Sequence, residues 1–365
     1  MSKNPLTMAD LFRLSEKGKG YALYRLPHET ECTFVYGPAV THTRDEHVES
    51  GAMCSFVIAP FNHDLNPIVS IRPETVLTLS LTPDTTATRA RIVEEEEEMA
   101  AYRKAFNQCM LKLDSGELKK VVLARRKTLI LPDGEPDSLR LFARACKDNA
   151  DCYVALWWTP QSGCWLTATP ELMVERDGVD SGLWHTMALA GTLPYYGKVL
   201  ETSEWSEKNR EEHAYVVDHI VRTLSGVATK KTIRTDACHS VRFGNVQHLR
   251  TLISFQTGED TPASAIVRAI HPTPAVCGEP REVAMETIEM AEDFWRRYYA
   301  GVSGPERIKG RTSLFVSLRC MQIDGNRAVL YAGGGLLPMS SRHEEWDETE
   351  RKLQPMLSLF QIIGA

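Results

Sequence analysis

Two kinds of apolar spacing alternate along this sequence, and they require a chain that mixes strands with helices. Residues 121–131, 152–158 and 163–169 are short runs rich in β-branched and aromatic residues, which predict strands. Residues 204–226 instead repeat apolar side chains at helical spacing and predict a strong amphipathic helix. No internal repeat, low-complexity linker or clear domain boundary interrupts the pattern.

Further elements are predicted from the same spacings. Helices are expected over 94–113, 138–148, 281–299 and 344–360, paired strands over 313–323 and 327–335, and strands and loops with one early helix over 1–90. The acidic run Glu94–Glu98 is typical of a solvated helix start, because carboxylates favour the positive end of a helix dipole.

Composition limits the partners that the chain can bind. Lys and Arg total 42 against 48 Asp and Glu, a net charge of −6 without a basic tract, which argues against nucleic acid or an anionic membrane. No apolar run approaches the roughly 20 residues of a membrane helix, and the first dozen residues lack signal-peptide features. Nine cysteines without paired spacing are typical of reduced thiols. We expect a cytoplasmic protein that acts on a small molecule.

Two predicted helices carry carboxylates where core residues are expected. Glu212 continues the apolar stripe four residues before Val216, and Glu345, Glu348 and Lys352 continue the stripe of the closing helix. Buried carboxylates are costly unless they are paired or bind a metal. Two inward carboxylates from separate helices would suit Mg²⁺. A surface ion pair between Glu348 and Lys352, on slightly rotated helices, is the alternative that the spacing leaves open.

Nine short segments are spread over the later two thirds of the chain. They are KVVLARR (120–126), TPEL (169–172), LAGT (189–192), EKNREEHAYVVDHI (207–220), VQHLRT (246–251), HPTPAVCGEPRE (271–282), SLRC (317–320), YAGGGLLP (331–338) and EEWDETERK (344–352). In this order and spacing they resemble the chorismate-utilising enzymes, and most closely the isochorismate synthases. The resemblance covers about residues 105–362, whereas residues 1–95 diverge.

The resemblance implies both a fold and an activity. It implies a single chorismate-binding α/β domain over 1–365, in which two stacked, mainly antiparallel sheets carry helices on the outside and an active-site cleft between the layers. It also implies Mg²⁺ and the substrate chorismate, isomerised to isochorismate for menaquinone or siderophore biosynthesis. A monomer without a glutaminase subunit is expected.

Residue roles follow from the matched motifs. Lys120 matches the general base and Glu171 the general acid, while Glu212 and Glu348 match the Mg²⁺ ligands. Glu345 matches a further acidic residue near the metal. The matched substrate contacts are Gly191, Thr192, His248, Ala275, Arg319, Gly334, Gly335 and Lys352, with Arg319 and Lys352 expected to bind carboxylate.

Lys120 bears on the choice among related reactions. Water needs a base to become a nucleophile and ammonia does not, so a lysine here favours isochorismate or salicylate formation over an anthranilate-type reaction. A salicylate synthase is the nearest alternative, and a catalytically silent chorismate-binding protein is an alternative of another class. Thr312-Ser313 departs from the Gly-acidic pair of many isochorismate synthases. Without the resemblance, Lys120 would be expected on an exposed edge strand.

Overall fold

The computed structural model describes residues 7–16, 18–42, 54–80, 87–176, 178, 182–258 and 261–364. The helices within these ranges are α1 (Met8–Glu16), α2 (Glu95–Asp114), α3 (Ser138–Asp148), α4 (Glu207–Leu224), α5 (Ala263–Ile270), α6 (Arg281–Ala291) and α7 (Arg342–Leu357). Side-chain caps fix two of these starts: Asp137 accepts a hydrogen bond from Arg140 N at 3.0 Å, and Ser206 accepts one from Asn209 N at 3.2 Å.

The strands, numbered in chain order, form two sheets. The first sheet contains β1 (Gly20–Arg25), β2 (Cys32–Gly37), β6 (Thr75–Leu79), β7 (Thr88–Val93), β8 (Lys120–Ile130), β9 (Tyr153–Thr159), β10 (Gly163–Thr169), β16 (Gly278–Glu279), β19 (Cys320–Asp324), β20 (Arg327–Leu336) and β21 (Phe360–Ile362). Its spatial order is β21-β7-β8-β20-β19-β10-β9-β1-β2-β6, with β16 paired to β8. Apart from the parallel β21–β7 pair, its described pairings are antiparallel.

The second sheet is antiparallel throughout its described pairings. It contains β3 (Ala39–His42), β4 (Ser55–Ala59), β5 (Ile68–Ile71), β11 (Leu172–Arg176), β12 (Leu183–Pro194), β13 (Arg234–Thr235), β14 (His239–Phe243), β15 (Val246–Gln256), β17 (Val302–Glu306) and β18 (Thr312–Val316). Its order is β13-β15-β12-β11-β18-β17-β4-β5-β3, with β14 paired to β15. The predicted class of two mainly antiparallel sheets with helices is therefore confirmed.

The main apolar core joins the two sheets. Trp157 of the first sheet and Phe56 of the second belong to one buried cluster, and the ring of Tyr153 stacks on that of Phe315 with centroids 4.3 Å apart. A second cluster packs α3 and α7 on the outer face of the first sheet, through residues such as Phe142. Helix α7 is therefore held by apolar contacts along its C-terminal half, where Leu353 and Met356 are 1% exposed.

The chain crosses from one sheet to the other at two adjacent points. Strand β10 of the first sheet passes into β11 of the second through Pro170-Glu171, and β18 of the second passes into β19 of the first through 317–319. Residues 313–323, predicted as one strand, are thus two strands in different sheets. The break lies where Arg319 has a positive φ of 45°. Both crossovers bring a charged side chain to the space between the layers.

Two other predictions from spacing are wrong. The helix expected over 281–299 ends at Ala291, because Glu292 turns to extended backbone and its carboxylate accepts a hydrogen bond from Ala124 N at 2.8 Å. The acidic run is not fully solvated, since Glu98 is 7% exposed and accepts a hydrogen bond from Thr128 N at 3.0 Å. In both places a tertiary contact with β8 overrides the local pattern.

Among the described helices, none combines the length and apolar character that crossing a membrane would require.

Candidate active site

A cavity of about 70 Å³ lies beside the two crossovers. Predicted site residues that line it are Glu171, Gly191, Thr192, Glu212, His248, Ala275, Arg319, Gly335 and Lys352. Tyr299 and Tyr331 add aromatic walls. Lys120, Gly334, Glu345 and Glu348 lie outside the lining set.

Lys120 begins β8, an interior strand of the first sheet, and its side chain is 0% exposed. The exposed edge strand considered from the sequence is therefore wrong. Its Nζ lies 3.0 Å from Glu212 Oε1. Burial alone would raise the pKa of Glu212, but Lys120 and Lys352 hold this pKa below its usual value. Lys120 and Glu212 thus form a buried ion pair at the edge of the cavity.

Glu171 follows the crossover proline and is 5% exposed. Its backbone carbonyl accepts a hydrogen bond from Val316 N at 2.9 Å, which ties one crossover to the other. Burial raises the pKa of Glu171 to about 7, against the opposing charges of Lys120, Lys352 and Arg319. A carboxyl with this pKa is partly protonated near neutral pH and can donate a proton.

Arg319 and His248 form a hydrogen-bonded pair on the cavity wall. Burial lowers the pKa of His248 well below its usual value, so the ring is neutral. Its Nδ1–H then donates to Gly191 O at 3.0 Å, and its Nε2 accepts from Arg319 Nη2 at 2.9 Å. Gly191 can supply this carbonyl because it lies at a bulge in the β12–β15 pairing with a φ of +73°. The arginine is held in place while part of its donor fork stays available.

The glycines of β20 allow charged side chains to approach the strand closely. A Cβ added to Gly334 would lie 2.9 Å from Glu345 Oε2, and one added to Gly335 would lie 2.3 Å from Glu212 Oε1. Glu345 of α7 and Glu212 of α4 therefore both approach the same end of β20 closely. Side chains here would push one carboxylate or the other away.

Two glutamates of α7, Glu345 and Glu348, are also paired with lysines. Glu345 is 1% exposed and accepts from Lys208 Nζ at 2.5 Å and from Ser340 Oγ at 2.7 Å. Glu348 accepts from Lys352 Nζ at 2.7 Å, and Lys352 also donates to Gly333 O at 3.0 Å. The sequence left open a surface ion pair between Glu348 and Lys352. The two side chains do pair, but the pair is not confined to the surface, because Lys352 also lines the cavity.

Lys208 connects the carboxylates of the two helices. Burial alone would lower its pKa, but Glu345, Glu348 and Glu212 together raise it, so all three carboxylates lie near one ammonium group. Lys208 was not among the site residues predicted from the sequence. Its position four residues before Glu212, and hence on the same helix face, was the available signal.

The carboxylate group fits a hard divalent cation by its chemistry. Across the described ranges, no three His, Cys, Asp or Glu side chains are close enough together to form a ready-made metal site. The donors are nevertheless all carboxylate oxygens, which Mg²⁺ prefers. Glu345 Oε2 is buried without a hydrogen-bond partner, and Lys208 Nζ, 2.5 Å from Glu345 Oε1, already places a positive charge beside this carboxylate.

Ser313, which replaces a usually acidic residue, is 3% exposed in β18 and does not line the cavity. The departure noted in the sequence therefore lies outside the cavity wall.

Sequence relatives match a large part of the chain. It is 33% identical over 261 residues to the isochorismate synthase MenF of Haemophilus influenzae, which covers 70% of this chain and 59% of the relative. It is 32% identical over 255 residues to the isochorismate synthase MenF of Escherichia coli K12, covering 68% of this chain and 57% of the relative. The chain thus spans about three fifths of the length of these curated relatives.

Solved structures and a family model extend the match to nearly the whole chain. A Bacillus anthracis structure, described as a candidate 2,3-dihydroxybenzoate-specific isochorismate synthase DhbC, has a TM-score of 0.79 at 26% identity and covers 95% of this chain and 98% of its own. The menaquinone-specific isochorismate synthase MenF of Escherichia coli shares the fold, with a TM-score of 0.76 at 22% identity, over 94% of this chain and 89% of its own. The family model for chorismate binding enzymes matches residues 43–361. The chain belongs to the chorismate-binding enzyme family.

Proposed function

We propose that this protein is an Mg²⁺-dependent isochorismate synthase, which adds water at C2 of chorismate and removes the hydroxyl group at C4 with migration of the double bonds. The observation that carries the proposal is the position of Glu171, a partly protonated carboxyl, on the wall of a cavity that is also lined by Glu212, the ion-pair partner of the buried Lys120. Glu171 can supply a proton, and Lys120 could accept one after losing the proton that pairs it with Glu212, as the proposed substitution requires.

Glu171 and Lys120 have complementary roles in this proposal. Glu171 protonates the departing C4 hydroxyl, while Lys120 in its neutral form takes a proton from the attacking water. Lys352 Nζ already binds both Glu348 and Gly333 O, so it can orient a carboxylate without leaving its place. Arg319, fixed by His248, offers the two-pronged donor geometry for a second carboxylate.

Glu212, Glu345 and Glu348 would hold Mg²⁺ in the proposed enzyme. When bound, the ion would offset the negative charge of these side chains and of a substrate carboxylate. Gly191 and the glycines of β20 leave room for backbone contacts with the substrate. The backbone of Thr192 and Ala275, which line the same cavity, would complete the substrate contacts.

The proposed unit of function is one domain over 1–365. Strand β1 of the divergent segment 1–95 pairs with β9, and β4 pairs with β17, so both sheets combine early and late strands. We further propose that it works as a monomer in the cytoplasm. A glutaminase subunit is not expected, because Lys120 matches a site that uses water and not ammonia.

Product analysis tests the function directly. The purified protein is incubated with chorismate and Mg²⁺, and the products are separated by liquid chromatography and identified by NMR. Isochorismate alone is expected. Salicylate with pyruvate would instead indicate a salicylate synthase, anthranilate formed with added ammonia would indicate an anthranilate-type enzyme, and chorismate binding without turnover would indicate a binding protein.

Replacing Glu348 by alanine is expected to weaken Mg²⁺ binding by at least about tenfold. The change removes one carboxylate from the group around Lys208 and frees Lys352 from its partner. An Mg²⁺ titration of activity and of heat release on binding measures the effect. Glu344→Ala is the matched control, because Glu344 is exposed on the same helix. An unchanged titration for Glu348→Ala would show that α7 does not hold the ion.

A further inference from the structure

We propose that Arg125 is a positioning residue that fixes the N-terminal half of α7 against β8 and thereby sets the affinity of the carboxylate group for a divalent cation. The inference rests on the proposed function for the identity of the ion. Arg125 does not line the 70 Å³ cavity. Its contacts on α7 are with residues other than the proposed ligands Glu345 and Glu348.

Strand geometry places Arg125 on the opposite face from the proposed base. Side chains alternate along β8, and Arg125 follows Lys120 by an odd number of residues. Lys120 contacts Glu212 of α4, whereas Arg125 contacts Thr349 of α7. The same strand therefore fixes the base on one face and the acidic helix on the other.

Arg125 holds α7 through three different contacts. Its Nε donates to Thr349 Oγ1 at 2.7 Å, its Nη2 donates to the Glu350 carboxylate, and its guanidinium lies 3.8 Å from the ring centroid of Trp346. Arg125 is 3% exposed and Thr349 is 0% exposed, so the hydrogen bond between them is shielded from water, whereas the Glu350 side chain is 29% exposed.

Two of the residues that Arg125 contacts are the direct sequence neighbours of the proposed ligands. Trp346 directly follows Glu345, and Thr349 directly follows Glu348. Adjacent helix positions differ by about 100° around the axis, so a rotation or shift of α7 would move the contacted and the ligand side chains together. The contacts of Arg125 with α7 thus fix the directions of the Glu345 and Glu348 side chains.

Other contacts retain α7 if Arg125 is changed, so the expected effect is local. Lys127 Nζ also lies 2.9 Å from Glu350 Oε1, and Leu353 and Met356 remain buried in the outer cluster. A second cavity, of about 280 Å³, is lined by Arg125 together with Glu98 and Tyr102, so a replaced side chain at 125 has room to move. Without the guanidinium we expect the helix to stay docked and its first two turns to shift.

The test compares cation binding with folding stability. Arg125→Lys keeps the charge but loses the planar fork and the stacking surface. Mn²⁺ binding, followed by electron paramagnetic resonance without substrate, is expected to weaken about tenfold, while thermal unfolding in EDTA changes by only a few degrees. Thr349→Val removes only the hydroxyl acceptor and is expected to weaken Mn²⁺ binding about threefold.

Arg126→Lys is the matched control. Arg126 is the next residue of β8, lies 3.5 Å from Asp293 and is placed over Phe294, so it makes the same classes of contact away from α7. Its replacement is expected to leave Mn²⁺ affinity unchanged.

The possible outcomes separate this inference from the proposed function. Wild-type Mn²⁺ affinity in folded Arg125→Lys, or equal losses in Arg125→Lys and Arg126→Lys, would overturn the positioning role, as would a wild-type protein that binds no Mn²⁺. A wild-type protein that binds Mn²⁺ but does not convert chorismate would refute the isochorismate synthase activity and leave the positioning role supported if Arg125→Lys binds more weakly.

Discussion

Lys120→Ala is expected to lower kcat by about 100- to 10,000-fold, the range in which a general base contributes. Lys120 is 0% exposed and has Glu212 as its ion-pair partner, so alanine removes both the amine and this pair from a buried position. Chorismate binding in the presence of Mg²⁺ should persist, because Arg319 and Lys352 are unchanged. Turnover and substrate affinity, measured separately by product formation and calorimetry, check the two parts.

The neighbouring lysine provides the control. Lys119 is exposed and its side chain points away from the buried pair, so Lys119→Ala should retain wild-type turnover. Near-normal kcat in Lys120→Ala would remove this lysine as the base. A loss of both turnover and chorismate affinity would show that its charge serves binding rather than proton transfer.

Glu171→Gln is expected to lower kcat by about as much as Lys120→Ala, because the amide cannot give a proton to the C4 oxygen. The wild-type pH profile supplies a second readout. The pKa of Glu171 is about 7 because the side chain is buried, so the competent protonated form dominates below pH 7 and disappears above it. We therefore expect kcat/KM to fall as the pH rises through about 7. A bound dianion should shift the corresponding fall in kcat to higher pH.

Glu306→Gln is a closely matched control for this change. Glu306 is also 5% exposed, and burial also raises its pKa to about 7, but it lines a different cavity. Its replacement should leave kcat and its pH profile unaltered. An equal loss of kcat in Glu171→Gln and Glu306→Gln would mean that changing a buried carboxyl acts through folding. A wild-type kcat/KM that does not change between pH 6 and 8 would exclude Glu171 as the acid.

Stability should follow the same titration. A folded-state pKa raised above the unfolded value favours folding while the carboxyl is protonated, and this contribution is lost as the pH rises through about 7. The wild type should therefore lose some stability between pH 6 and 8. Glu171→Gln should lose less over that interval, as thermal unfolding at the two pH values would show.

Much of the fold could be predicted from the sequence because its periodicities reflect burial. The helix at 138–148 matches α3, and the inward position of Glu212 followed from its place on an apolar stripe. The errors arose where distant contacts decide the structure. Glu98 and Glu292 leave the expected pattern because each carboxylate binds a backbone N–H of β8.

The site could be predicted only in part, for a related reason. The crossover of 317–319 between the sheets places Arg319 beside Glu171, and strand-like spacing gave no sign of this switch. Likewise, pairing of Lys208 with Glu345 joins residues 137 positions apart, although the i, i+4 relation of Lys208 to Glu212 was visible. Assignments of Lys120, Glu171 and the substrate contacts depended on family resemblance and remain proposals.

The pairing of Glu212, Glu345 and Glu348 with Lys120, Lys208 and Lys352 has a thermodynamic consequence. These six groups carry three negative and three positive charges in the unliganded protein, so a divalent cation alone would add two positive charges to them and a dianion alone two negative ones. Bound together, they restore the original balance. Each ligand should therefore raise the affinity of the other by the same factor, so that the site responds to the pair as if it were a single uncharged species.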